Sequence, residues 1–239
     1  DCRGSGSGSC RIGEKVRDSM DLATKHKIIE ILAAERPNPK SELNYKTPFE
    51  LLIAVMLSAQ ATDKSVNIAT KALFKAADNP AAMLSLGVDG LEPFIRAIGL
   101  YHNKARHIMD ACQVLVRDFN GSVPDNFKDL ISLTGVGAKT ADVVLNVAFG
   151  RPTVPVDTHV FRVANRTGLA PGKTPAEVSK ALIAVTPPEY LKGIHHWLLL
   201  HGRYCCKARN PLCSTCPIRS LCAFEGKLLQ AAGKSPEKS

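Results

Sequence analysis

Four cysteines near the C-terminus, Cys206, Cys213, Cys216 and Cys222, constrain this chain more than any other feature. They are separated by six, two and five residues, in the run Cys206-KARNPL-Cys213-ST-Cys216-PIRSL-Cys222. Thiolates gathered this tightly read as a metal site, and soft sulfur ligands select zinc or iron–sulfur clusters. The six-residue spacer is long for a zinc knuckle, whose paired ligands sit about two to four residues apart. It suits a bulkier cubane better, because the chain must travel around one corner of it. On spacing alone zinc stays open as the second reading, and a disulfide pair as the third.

The remainder reads as helix. Aromatic residues are only 5% of the chain, so Leu, Ile, Val and Ala must fill the core. That favours helices packed closely through small side chains over a β-sandwich. Ile28, Ile29, Leu32 and Ala33 mark one apolar face. Residues 48–60, PFELLIAVMLSAQ, are apolar nearly all round, which predicts a central, buried helix. Ile108, Ala111, Cys112, Leu115, Val116 and Phe119 recur at helical spacing, so Cys112 reads as a core residue and not a ligand. Three helix starts carry Thr at the N-cap, Pro at the first helical position and Glu at the third: Thr47-Pro48-Phe49-Glu50, Thr174-Pro175-Ala176-Glu177 and Thr186-Pro187-Pro188-Glu189. Asn79-Pro80 is a weaker version. The run Thr153-Val154-Pro155-Val156 is broken by its proline and reads as a linker. The predicted fold class is all-α.

At 239 residues the chain has room for one large or two small domains. Its formal net charge is +9, and the excess is concentrated after residue 191. There Lys192, Arg203, Lys207, Arg209, Arg219, Lys227, Lys234 and Lys238 face only Glu225 and Glu237. A basic chain suits a polyanion such as nucleic acid. The plainer reading is a solvated surface that also offsets four thiolates. Residues 1–19 begin with Asp1 and contain GSGSGS. They read as a flexible extension or tag, so Cys2 and Cys10 are given no role and Met20 looks like the natural start. No apolar run reaches the roughly 18 residues that span a membrane. Clustered thiols without a secretory signal imply a reducing compartment, here the cytoplasm.

Residues 130–144, LISLTGVGAKTADVV, predict a helix, a tight turn at Gly135-Val136-Gly137 and a second helix from about Thr140. The glycines permit positive φ and leave no Cβ in the way. Val136 is expected to plug between the two helices. Backbone amides at the second N-terminus would then face outward to a phosphate. A plain helix–turn–helix corner is the alternative, but the whole pattern is the helix–hairpin–helix signature of sequence-independent DNA binding.

That hairpin, Val156-Asp157-Thr158-His159 and the cysteine spacing together resemble the endonuclease III family, bifunctional DNA glycosylases that excise oxidised pyrimidines. The likeness runs from about residue 20 to about 228. It includes TPFELLIAVMLSAQATD (47–63), IGLYHNKA (98–105) and HHWLLLHGRY (195–204). The resemblance implies a 4Fe–4S cluster on Cys206, Cys213, Cys216 and Cys222. It implies a catalytic lysine at Lys139 and a catalytic aspartate at Asp157. Cleaving an N-glycosidic bond builds positive charge at C1′, which a carboxylate stabilises. A neutral lysine attacks C1′ to form a Schiff base, and β-elimination then nicks the strand 3′ to the lesion. Taken alone, Lys139 would be a phosphate contact and Asp157 an N-cap.

Further roles also come from the resemblance. Gln60 and Leu100 are candidate wedges that fill the gap left by an extruded base. Gly135, Val136, Gly137 and Thr140 contact the backbone, and His159 touches it beside Asp157. The cluster loop presents Lys207, Arg209 and Arg219 to phosphates. Asp63 either holds the pocket or caps the following helix. The family usually has proline where this chain has Thr134, arginine or tyrosine at Ala138 and asparagine at Asp142. The change at Ala138 removes one phosphate contact, and Cys205 is an extra thiol. An adenine glycosylase of the same superfamily fits less well: those enzymes lack the lysine after the hairpin and have a Glu in the buried helix near Gln60, whereas this chain has Lys139 and no such Glu between 51 and 63. A non-catalytic DNA-binding module would need neither Lys139 nor Asp157. The expected architecture is a six-helix domain (40–151) and a discontinuous cluster domain (20–39 with 152–230), flanking a DNA cleft, with a tail at 231–239. The expected partner is duplex DNA with an oxidised pyrimidine or abasic site, bound by a monomer.

Overall fold

The computed structural model describes residues 20–37, 39 and 41–227. The expected extension at 1–19 and the tail at 231–239 lie outside the described residues. Within them there are α-helices and short 3-10 turns and no strand. The helices in chain order are α1 (Leu22–Glu35), α2 (Pro48–Ser58), α3 (Asp63–Ala76), α4 (Pro80–Ile95), α5 (Tyr101–Phe119), α6 (Phe127–Ser132), α7 (Ala138–Phe149), α8 (Thr158–Thr167), α9 (Pro175–Val185) and α10 (Leu191–Tyr204). A 3-10 turn at Pro188–Tyr190 leads into α10, and another spans Cys213–Thr215.

The apolar pattern is spent on two separate cores. The first runs from Phe49 to Leu145 and is fed by α2 through α7. Helix α2 lies at its centre: every residue from Phe49 to Leu57 is buried, as its all-round hydrophobicity requires. Cys112 is fully buried there, and burial pushes its thiol up to about 12. Helix α4 is bent at Gly87, which has a positive φ of 67°. The second core joins Ile28, Ile29, Leu32 and Ala33 of α1 to buried residues of α8, α9, α10 and Ile218. The chain therefore leaves the second core after α1 and returns to it after α7.

Two of the three expected Thr caps form. Thr47 Oγ1 accepts the Glu50 amide at 3.1 Å and Thr174 Oγ1 accepts the Glu177 amide at 3.2 Å. Each glutamate reaches back one residue past the cap, to the amide of Lys46 at 2.5 Å and of Lys173 at 2.8 Å. Thr186 does not cap. Its amide closes α9 on the Leu182 carbonyl, its buried hydroxyl has no hydrogen-bond partner among the described residues, and the Pro187-Pro188 pair starts a 3-10 turn instead. Asn79 caps α4 through the Ala82 amide at 2.9 Å.

Candidate active site and metal centre

The hairpin is built by α6, the turn 133–137 and α7. Val136 is 6% exposed and packs into the first core, and its amide donates to the Leu133 carbonyl at 3.0 Å. The two glycines differ in which freedom they use, positive φ or the missing Cβ. Gly135 takes positive φ, at 79°, and a Cβ there would meet His107 Cβ at 2.8 Å. Gly137 has an extended backbone (φ −90°, ψ 174°), and a Cβ there would meet nothing within 4 Å. Its missing side chain keeps the approach to α7 open. No side chain caps α7, so its first amides are left for an outside acceptor. Thr140 is half-buried in that first turn, and Lys139 beside it is exposed.

Asp157 arrives by a linker whose carbonyls are taken one after another. Asn146 Nδ2 donates to Thr153 O at 2.9 Å, Ser179 Oγ to Val154 O at 2.9 Å, and His195 Nδ1 to Pro155 O at 2.7 Å. Side chains of α7, α9 and α10 thus pin a stretch with no ladder of its own. Asp157 then caps α8: its Oδ1 accepts the amides of His159 at 2.9 Å and Val160 at 2.8 Å. Its Oδ2 accepts no hydrogen bond among the described residues. Capping therefore fixes the carboxylate and leaves one oxygen to act.

Lys139 and Asp157 line the same cleft of about 610 Å³ between the two cores. Sequence reading missed two other residues on its wall, His195 and His196. Both are buried, and their rings meet edge to face at 5.0 Å. Burial, then the neighbouring His196, drive His195 down to about 4, against the pull of the Asp157 charge. A carbonyl only accepts, so His195 carries its proton on Nδ1. His195 is thus a neutral strut holding the carbonyl two residues before Asp157. A paired histidine inside an apolar helix reads as core, and only contact with the linker reveals its role.

At the far end of the cleft Arg203 bridges the two cores. It pairs with Asp63 of α3 at 2.7 Å and with Glu42. Asp63 does not cap α3; Thr62 does, through the Ser65 amide at 3.2 Å. Of the two readings for Asp63, the pocket wall is the one its contacts match.

Gln60 and Leu100 have a common backbone signature. Both take left-handed conformations, with φ of 56° and 61°, which non-glycine residues seldom adopt away from functional sites. Helix α2 therefore stops at Ser58, two residues short of Gln60. Lys104, buried in the first turn of α5, explains how the two come to one edge. Its Nζ donates to Leu57 O at 2.9 Å and Ala59 O at 2.6 Å, joining the start of α5 to the end of α2. Burial pulls its ammonium below its usual value. Leu100 is 61% exposed, an outlay of apolar surface that suits a wedge. His159, on the first turn of α8, is half-buried and contacts Arg162 at 3.2 Å.

Cys206, Cys213, Cys216 and Cys222 line a second cavity. Two observations test whether a cluster fits. Arg166, Arg219 and Lys227 line it, and Arg166 Nη1 lies 3.7 Å from Cys206 Sγ, so cations face the thiolates. Burial raises the Cys213 and Cys222 thiols, a cost that a metal's charge reverses. The four cysteines fit the group. Lys207 and Arg209 are exposed on the loop, whereas Arg219 is half-buried.

Comparison with known proteins agrees. Residues 53–188 match the model for HhH-GPD superfamily base excision DNA repair proteins, and residues 206–222 match the iron–sulfur binding domain of endonuclease III. The chain is 55% identical to endonuclease III of Rickettsia conorii over 86% of its length and 98% of that relative. It is 52% identical to endonuclease III of Escherichia coli over 87% and 99%. Among solved structures it is similar to a trapped endonuclease III–DNA covalent intermediate, with a TM-score of 0.82 and 42% identity over 87% of this chain and 99% of that one.

Proposed function

Because the chain belongs to the endonuclease III family of helix–hairpin–helix base-excision repair proteins, we propose that Lys139 and Asp157 perform its DNA glycosylase and AP lyase chemistry on oxidised pyrimidines and abasic sites in duplex DNA. The observation that carries this is the shared cleft. The exposed amine comes from the hairpin that would hold phosphates, and the pinned carboxylate comes from the opposite core.

Lys139 Nζ, as the free amine, attacks C1′ as the base departs. Asp157 Oδ2 faces the positive charge that develops there and takes a proton from the attacking nitrogen. That proton passes to O4′ as the C1′–O4′ bond breaks, which opens the sugar to a Schiff base on Lys139; this makes the C2′ proton acidic, and its loss expels the 3′ phosphate. Gln60 and Leu100 occupy the gap left by the extruded nucleotide. Gly135, Gly137, Thr140 and His159 hold the backbone alongside, while Val136, its side chain buried and its amide spent on Leu133 O, seats the turn on the first core instead of touching DNA. Cys206, Cys213, Cys216 and Cys222 would hold the 4Fe–4S cluster, which would anchor the loop, and Lys207, Arg209 and Arg219 face phosphates from it. The enzyme acts as a monomer on cytoplasmic DNA.

Single-turnover assays on two duplexes, one with thymine glycol and one with a preformed abasic site, test the assignment. Lys139→Ala should lower nicking of both by about 10³-fold or more. Asp157→Asn should slow base release by about 10²–10³-fold. A Lys139→Ala protein that nicks at the wild-type rate would remove the lysine from the mechanism.

A further inference from the structure

The last turn of α10 carries His201 and, four residues on, Cys205. Residues at that spacing lie on one helix face. The loop after the Cys213–Thr215 turn brings Cys216 to meet them. His201 Nε2 lies 3.7 Å from Cys216 Sγ, and Cys205 Sγ comes close to both. All three ligand atoms lie within 4.8 Å of one another. Among the described residues this is the group of His, Cys and carboxylate side chains that converges so closely.

We propose that His201, Cys205 and Cys216 form a second, mononuclear site for a soft divalent cation such as zinc, mutually exclusive with the cluster because Cys216 serves both. Bond lengths of about 2.3 Å to sulfur and 2.0–2.1 Å to nitrogen put tetrahedral neighbours about 3.5–3.8 Å apart. The His201–Cys216 separation falls in that range. A cubane instead spreads its four thiolates over four separate irons. Cys205 and Cys206 are adjacent but engage different sides: Cys206 Sγ meets Arg166 of α8, while Cys205 Sγ lies within 4.8 Å of Cys216 Sγ and donates to Leu212 O at 3.8 Å. An imidazole and two thiolates are a zinc donor set, with water completing the tetrahedron. Zinc entry displaces two thiol protons and leaves a neutral centre. The same loop would thus be closed by iron as a cluster or by zinc at one corner, and zinc would block cluster assembly.

The test uses the full chain produced in iron-poor, zinc-rich medium, read by zinc, iron and acid-labile sulfide content. Wild type should carry about one zinc per chain and no cluster. Cys205→Ala and His201→Gln should weaken zinc binding by about a hundredfold or more, since even outer-shell changes cost 10–100-fold. Cys205→Ala made in iron-rich medium should keep the full iron and sulfide complement. Cys222→Ser, which lacks a cluster cysteine outside the trio, should still take up zinc. Cobalt substitution adds a direct readout, because tetrahedral d–d bands and sulfur charge transfer should weaken together in Cys205→Ala. The proposal is overturned if Cys205→Ala binds zinc like wild type. It is equally overturned if Cys205→Ala loses iron as completely as Cys222→Ser, or if Cys222→Ser takes up no zinc.

Discussion

The two cores solve the same problem with different materials. Between Phe49 and Leu145 the chain supplies enough aliphatic side chains to close a core by burial alone. The hairpin rides on that core through Val136. The second core lacks such a supply at its C-terminal end. From 205 to 227 the buried residues are Cys206 and Ile218. That loop is tied down by polar reach from α8. Arg162 donates to Gly202 O at 2.8 Å and Cys206 O at 3.1 Å, Arg166 donates to Lys207 O at 2.7 Å, and the Ala223 amide donates to Thr167 O at 3.0 Å. A loop held this way needs a central staple, and four thiolates on a cluster supply one. The lesson is a division of labour: burial positions Lys139, whereas polar contacts position Asp157 and the basic loop, which a metal centre would then staple.

Loss of the metal centre should separate the two regions most strongly. Cys213→Ser should abolish iron binding and remove hydrogen-exchange protection across 205–227, while amides of α2 and α5 stay protected. Equal loss in both regions would break the comparison. In the first core, Ile53→Ala removes a fully buried side chain and should cost about 2–5 kcal/mol, read by denaturant unfolding. The cluster should remain bound in that variant at low denaturant.

Acid should act on the second region first. His195 is held neutral, with its value depressed from 6.5 to about 4. The unfolded chain therefore binds the extra proton through that window, and stability is lost as pH falls from 6.5 toward 4. The loss should be about 3 kcal/mol, and His195→Gln should flatten that part of the pH–stability curve. An unchanged slope in the variant would show that His195 is not the sensitive group. The smallest contrast lies inside the hairpin. Gly135→Ala has both a positive φ and a His107 collision, and should cost about 1–3 kcal/mol of stability. Gly137→Ala should leave stability nearly unchanged and weaken duplex binding, because its Cβ would enter the approach to α7.

Much of the fold was legible because local chemistry announces it. Thr47 and Thr174 are marked as helix starts by Pro and Glu at fixed offsets, and α2 declares its burial by composition. Thr186 carries the same signal and fails: it is the residue that ends α9, its own amide donating to Leu182 O, and the Pro187-Pro188 pair opens a 3-10 turn instead of an α-helix. The metal loop and hairpin were readable from spacing and glycine, and Lys139 and Asp157 became readable beside them through family likeness. The left-handed backbone of Gln60 and Leu100 was not, since no glycine marks it. Nor were Lys104, the Arg203–Asp63 pair or the His195 strut, each of which joins residues 40 or more positions apart. Long-range polar contacts leave no periodic trace in a sequence.

The central claim is that an amine from one core and a carboxylate from the other work on one sugar carbon. Borohydride trapping on a duplex with a single thymine glycol, followed by peptide mapping of the adduct, tests it most directly. The account predicts one covalent complex, mapped to the peptide containing Lys139, absent in Lys139→Ala and formed much more slowly in Asp157→Asn. A trapped adduct on another lysine, or an undiminished yield from Lys139→Ala, would contradict it.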